Sequence, residues 1–221
     1  MLFFVLAILV GVVLVGGAAW FQYNSRRARA RSVASIARTV GFTFSGADTE
    51  RLVDLPFGLF SRGSGRRLEL VISGTHNGLP MRMFDYWYYV DSGRDRTYHR
   101  FTCAMATIPA ACPRLRLGNE NFLSRLGGDV GLRDVQLEYD DFNRRFQVKC
   151  DDQRFAFSLL DGRMMQWLLD AERFESVEID GPWVLLAHTK LDPAHWLDLA
   201  TWLGEFATKI PAVVYSTYPP R

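Results

Sequence analysis

Leu2 to Phe21 reads LFFVLAILVGVVLVGGAAWF, twenty consecutive residues with no charge and no polar side chain. At about 1.5 Å per residue the run makes about 30 Å of helix, the thickness of a bilayer's hydrocarbon core. The sequence has no second run like it, so the expectation is a single transmembrane helix within residues 1–24, with Leu2 and Phe21 at its ends. Trp20 and Tyr23 fall where amphipathic rings favour the headgroup layer. A cleaved signal peptide has a basic leading region and a shorter apolar stretch, and this run has neither.

Charge sets the expected orientation. Arg26, Arg27, Arg29, Arg31 and Arg38 follow the run, and no acidic residue precedes Asp48. Basic residues flanking a span stay on the cytoplasmic side, which predicts an inner-membrane protein with its N-terminus outside and its globular part in the cytoplasm. Residues 25–40 form a basic juxtamembrane connector, in which Val33, Ile36, Ala37 and Val40 recur at helical spacing and Gly41 is a fitting C-cap. Its arginines can each attract anionic lipid by about 1 kcal/mol, although topology already accounts for them.

Composition separates the two parts. The whole chain of 221 residues is 48% apolar with a formal charge of +2, but with the five arginines before Gly41 set aside, 21 Lys and Arg face 24 Asp and Glu. An acidic domain is a poor nucleic-acid binder, so the aromatic run DYWYYV (Asp85 to Val90), with Arg94, Arg96 and Arg100 after it, reads as strand packing. Three cysteines make no disulfide framework and suit a reducing compartment.

From Gly41 the pattern is that of an α+β domain over residues 41–215, antiparallel hairpins followed by a C-terminal amphipathic helix. Leu68, Leu70 and Ile72 alternate with Arg67, Glu69, Val71 and Ser73, and GTHNG leads into Leu79 to Val90 as a hairpin; Thr97 to Thr107 continues the meander. A short helix is expected over residues 119–126, and Gly127 to Gly131 is compatible with a division into two lobes. Alternation then predicts strands over 134–139 and 142–150. Asp151 or Asp152 caps one helix and Asp161 another; Phe174 to Ile179 and Trp183 to His188 form a hairpin about Asp180-Gly181. Asp192, followed by Pro193, starts a helix with the stripe Trp196, Leu199, Leu203, Phe206 and Ile210, which Pro211 stops; residues 216–221 make a loose tail.

Catalytic motifs do not emerge. SRGSGRR (Ser61 to Arg67) is Gly-rich and basic but lacks the Gly-Lys-Ser/Thr of a phosphate loop, and no G-x-S-x-G elbow occurs. His76, His99, His188 and His195 show no metal-ligand spacing, so neither a metal nor a cofactor is expected. Cys150 falls in phase with Phe142, Phe146 and Val148 and reads as a small core residue. Asp85 shares a strand face with Met81, Met83, Trp87 and Tyr89, where an unpaired carboxylate would be costly; Arg82, Arg100 or His99 can partner it, and a structural ion pair is favoured over a general base.

Three segments carry a resemblance: LPFGLFSRGSGRR (Leu55 to Arg67), SGTHNGLPMRMFDY (Ser73 to Tyr86) and FNRRFQVKCDDQRFAFSLLDGRMMQWLL (Phe142 to Leu169). With them the chain resembles an uncharacterised family of bacterial single-pass membrane-anchored proteins. The matching motifs are structural, and the resemblance implies no catalytic residues. The sequence therefore predicts a non-catalytic domain binding a protein or lipid partner at the inner membrane surface. The alternatives are a membrane-tethered enzyme with a dispersed site of Asp85, His99 and Asp140, or an accessory subunit of a membrane complex; the sequence does not set the oligomeric state.

Overall fold

The first forty residues hold no proline and no alternating pattern, and they form one helix, α1, over Leu2–Val40. The computed structural model describes all residues except 1, 94, 121, 124–130, 172–173 and 221, and for residues 2–15 and 18 the backbone alone. The expected span Leu2 to Phe21 thus falls mostly on side chains outside the described residues. Among the described residues no helix is long and apolar enough to cross a membrane. The helix ends as its glycine predicts: Gly41 takes φ 73°, its N–H bonds the Arg38 carbonyl and that of Phe42 the Ala37 carbonyl. This pairing is a Schellman motif, which satisfies carbonyls the helix would otherwise leave open.

The domain is mixed α+β, built on an antiparallel sheet. Its strands are β1 (Thr43–Ala47), β2 (Ser64–His76), β3 (Leu79–Ser92), β4 (Asp95–Gly118), β5 (Arg133–Asp134), β6 (Gln147–Cys150) and β7 (Ser176–Thr189). They lie in the order β1-β2-β3-β4-β6-β5, with β7 on the other edge of β4. The helices are α2 (Asp140–Arg145), α3 (Gln153–Leu159), α4 (Gly162–Asp170), α5 (Trp196–Lys209) and α6 (Ala212–Thr217). Asn77 and Gly78, both at positive φ, turn β2 into β3 with His76 opposite Leu79, as an Asn-Gly hairpin requires.

Apolar side chains cover both faces of the sheet. On one face Ile72, Met81, Met83, Ala104, Ala106, Val184 and Leu186 meet Val33 and Ala37 of α1 and Trp196, Leu199, Leu203 and Phe206 of α5. On the other, Phe84, Tyr86, Phe101, Cys103, Met105 and Leu185 meet Leu52, Phe57, Leu59 and Phe60, which precede β2. Gly74 lies under Phe42, and a Cβ there would overlap the ring. Gly74→Ala is expected to destabilise the protein by about 2 kcal/mol through overpacking, read as a lower urea midpoint at unchanged slope.

Four elements differ from the sequence reading. Leu70 sits at φ 58° where the β2–β3 register slips, so this bulge puts Leu68 and Val71 on one face and Ile72 on the other, rather than Leu68, Leu70 and Ile72 together. Asp180-Gly181 is no hairpin turn: β7 runs straight through it along β4, with Gly181 (φ 55°) opposite Cys112 at a register shift. Phe142 and Phe146 are spaced four apart, which suits a helical turn as well as alternation, and α2 replaces the start of the expected strand; pairing resumes only at Gln147. Beyond β5 the expected strand stops: the Val135 N–H still bonds the Val148 carbonyl at 2.9 Å, but residues 136–139 make no ladder, although Val135 and Leu137 are buried and Asn143 bonds both backbone groups of Leu137.

The caps at Asp152, Asp161 and Asp192 form as expected, each carboxylate accepting from a backbone N–H two or three residues on; Asp192 caps a 3-10 turn, Pro193–His195, that runs into α5. In place of a loose end, α6 leads to Tyr218, whose hydroxyl donates to Asp152 and whose carbonyl accepts from Ala111. Of the helix expected over 119–126, Glu120, Phe122 and Leu123 are helical, with the Phe122 N–H bonded to the Asn119 side chain; residues 121 and 124–126, and 127–130 of the expected division, lie outside the described residues.

Candidate functional site: a basic cavity between the first helix and the sheet

Asp85 lies on the α1 side of β3 and is 7% exposed. Opposite it on β4, Thr102 donates its hydroxyl to Asp85 Oδ1 at 3.0 Å and accepts the Leu191 N–H at 3.0 Å. The carboxylate's charge is met from a distant part of the chain. Arg29 of α1 donates Nε to Oδ2 at 2.6 Å and a second guanidinium nitrogen to Oδ1 at 2.8 Å. This bidentate pair is the strong form of the interaction, and the same guanidinium lies 5.9 Å from the Trp196 ring. With both oxygens engaged, Asp85 serves as the anchor point of α1.

Of the expected partners, Arg100 shares a cavity wall with Asp85 and lies 5.9 Å from the Tyr98 ring, and the other two are employed elsewhere. Arg82 pairs with Glu50 at 2.7 Å; His99 stacks on Tyr88 with ring centres 4.9 Å apart, on the opposite face of the sheet. Asp140 is exposed at the start of α2. Asp85, His99 and Asp140 are therefore not brought together. The basic residues after the apolar run divide similarly: Arg29 holds Asp85, Arg27 lies over Tyr23 at 4.6 Å, Arg26 faces the cavity described next, and Arg31 is exposed.

Beside the Arg29–Asp85 pair is a cavity of about 480 Å³. Arg26 and Arg29 line it from α1, and Arg67, Glu69 and Leu70 from β2. Asp85 and Trp87 of β3, Tyr98 and Arg100 of β4, and Lys190 just after β7 complete it. Five cations thus face two carboxylates. Burial pushes the Lys190 ammonium below its ordinary value; Asp85 and Glu69 pull it up, while Arg29 and Arg100 push it further down. Leu70, at its strained positive φ, stands in the wall. Bulges of this kind re-aim side chains beside sites, and an αL leucine costs about 1 kcal/mol or more.

A second buried polar cluster has the opposite character. Glu178 of β7 and Arg116 of β4 face each other across the ladder at 3.1 Å, and the Glu178 carboxylate also accepts the N–H of Gly58 at 2.6 Å and of Leu59 at 2.9 Å. Burial pushes this carboxyl up, against the lowering pull of Arg116 and the two backbone donors. Tyr86 donates its hydroxyl to the Leu59 carbonyl, so the segment 57–60 is pinned from both sides. Sequence reading missed both Glu178 and Arg116, whose meeting depends on a register no local pattern reveals. Cys103, Cys112 and Cys150 are buried; burial pushes Cys112 up to about 12 and Cys150 to about 11, which keeps these thiols protonated and inert.

No family model and no curated protein matches this chain. Among solved structures, the crystal structure of the mycobacterial trehalose monomycolate transport factor A, TtfA, is similar in fold. The TM-score is 0.62 at 16% identity, and the match covers 84% of this chain and 97% of that one. At that identity the likeness is one of fold alone.

Proposed function

We propose that this protein is a single-pass inner-membrane protein whose domain, on the cytoplasmic side, serves transport as a non-catalytic accessory by binding a partner at the membrane surface. The observation that carries this reading is the bidentate Arg29–Asp85 pair: α1 is locked onto the sheet only eight residues beyond the apolar run, which fixes the domain close beneath it. Three further facts support it. Trp20, Phe21 and Tyr23 are exposed on the part of α1 the domain leaves bare, and water is a poor environment for such a cluster. The arginines following the run favour the cytoplasmic side. The fold is similar to that of a protein named as a transport factor.

Epitope tags at each end test the topology. Protease added to intact bacterial spheroplasts is expected to remove the N-terminal tag and spare the C-terminal one; the reverse pattern overturns the orientation. Affinity purification in mild detergent with mass spectrometry is expected to recover a membrane transport complex. Recovery of the protein alone counts against the accessory role.

A further inference from the structure

We propose that the cavity beneath α1 binds the phosphate of an anionic lipid headgroup from the inner leaflet. The proposal rests on the membrane-anchored reading above and names the ligand of that site. Its first argument is charge. Among the described residues, the side chains of Arg26, Arg67 and Lys190 have no hydrogen-bond or ion-pair partner, yet all face one space with Arg29 and Arg100. Asp85 is spent on Arg29 and Thr102, which leaves Glu69 as the only other carboxylate on the wall. Cations gathered from α1, β2, β4 and the end of β7 repel one another until an anion with several acceptor oxygens joins them, and a phosphate meets arginine forks and an ammonium together. Bound there, it reverses the depression of Lys190.

The second argument is height. Arg26 and Arg29 lie five and eight residues beyond Phe21, about 7.5 and 12 Å along the helix axis. The polar layer on each side of the hydrocarbon core is about 5–8 Å thick, so Arg26 sits at its lower edge and the cavity directly beneath. The third is the wall itself: Leu70, Trp87 and Tyr98 give an apolar and aromatic side against which a glycerol backbone can rest. A volume of about 480 Å³ suits a headgroup.

Full-length protein in dodecyl maltoside micelles, titrated by calorimetry with dihexanoyl phosphatidylglycerol, dihexanoyl phosphatidylcholine and glycerol 1-phosphate, tests this. Phosphatidylglycerol is expected to bind at least ten times more tightly than phosphatidylcholine. Arg67→Glu and Lys190→Glu should each weaken it, and together at least tenfold, while Arg154→Glu, a single charge reversal at an exposed position of α3, leaves it intact. Equal binding of the two lipids, or equal loss in Arg154→Glu, overturns the proposal, and the lipid comparison needs no variant to fold. Glycerol 1-phosphate competing at the concentration of the lipid assigns the cavity to a soluble phosphate and overturns the lipid source. The anchored reading fails separately, by recovery of the full chain in the soluble fraction of lysed cells; the titration in micelles reads the cavity whatever that outcome.

Discussion

Glu178→Ala is expected to lower the unfolding free energy by about 3–5 kcal/mol, the largest effect of any single change considered, because it removes the carboxylate that faces the buried Arg116 guanidinium. Arg116 and Glu178 are 5% and 2% exposed, so water does little to screen either charge. The loss also frees the Gly58 and Leu59 N–H groups, and with them the segment that puts Phe57, Leu59 and Phe60 over the second face of the sheet. Glu178→Gln should cost nearly as much, since the dominant penalty is the lost countercharge rather than the missing acceptor. Adding Arg116→Met to Glu178→Gln should then restore at least half of the stability, because the neutral pair leaves no buried charge to desolvate, and the amide oxygen can still accept the Gly58 and Leu59 N–H groups. Gly58→Ala reaches the same pair from the other side. The backbone of Gly58 is ordinary, but a Cβ would overlap the Arg116 guanidinium, which must swing off Glu178. Urea unfolding of the full chain in non-ionic micelles, followed by tryptophan fluorescence, gives these values; a loss below 1 kcal/mol for Glu178→Ala would sink this account of the second face.

The contrast between the two polar pairs explains what was legible in the sequence. Local chemistry was readable: Gly41 as the end of α1, Asn77-Gly78 as a hairpin turn, and Asp152, Asp161 and Asp192 as caps each depend on residues within a few positions. The α5 stripe was readable too, since burial of one helix face repeats its own period. Asp180-Gly181 was misread because a tight turn and a bulge both want a glycine at positive φ, and only the partner strand decides between them. The site depends wholly on distant pairings. Arg29 and Asp85 are 56 residues apart, Gly58 and Glu178 120 apart, and Lys190 reaches the cavity because β7 lies along β4. Charge after an apolar run has a sufficient explanation in topology, so nothing in the sequence marked Arg29 as different from Arg26, Arg27 or Arg31.

Breaking Arg29–Asp85 should release α1 from the domain without unfolding the sheet. Asp85→Asn and Arg29→Gln are each expected to cost about 2 kcal/mol, less than at Glu178, because side-chain exposures of 10% and 16% leave some solvent screening. The double variant should cost little more than either single one, which corresponds to a coupling of about 2 kcal/mol in the cycle. The local consequence is sharper than the global one. Arg26, Arg27 and Arg31 are trypsin sites held in a helix, and cleavage requires α1 to open there. If opening is limited by the docked pair, a 2 kcal/mol loss raises the cleavage rate in Asp85→Asn about 30-fold. An unchanged rate would mean that the apolar packing of Val33, Ala37 and Val40 holds the helix, and the domain's position relative to the apolar run would then depend on that packing rather than on the ion pair. A raised rate together with weakened phosphatidylglycerol binding would tie the two properties together: the arginine that docks the helix also sets one wall of the cavity, so loosening the anchor and emptying the site become the same event.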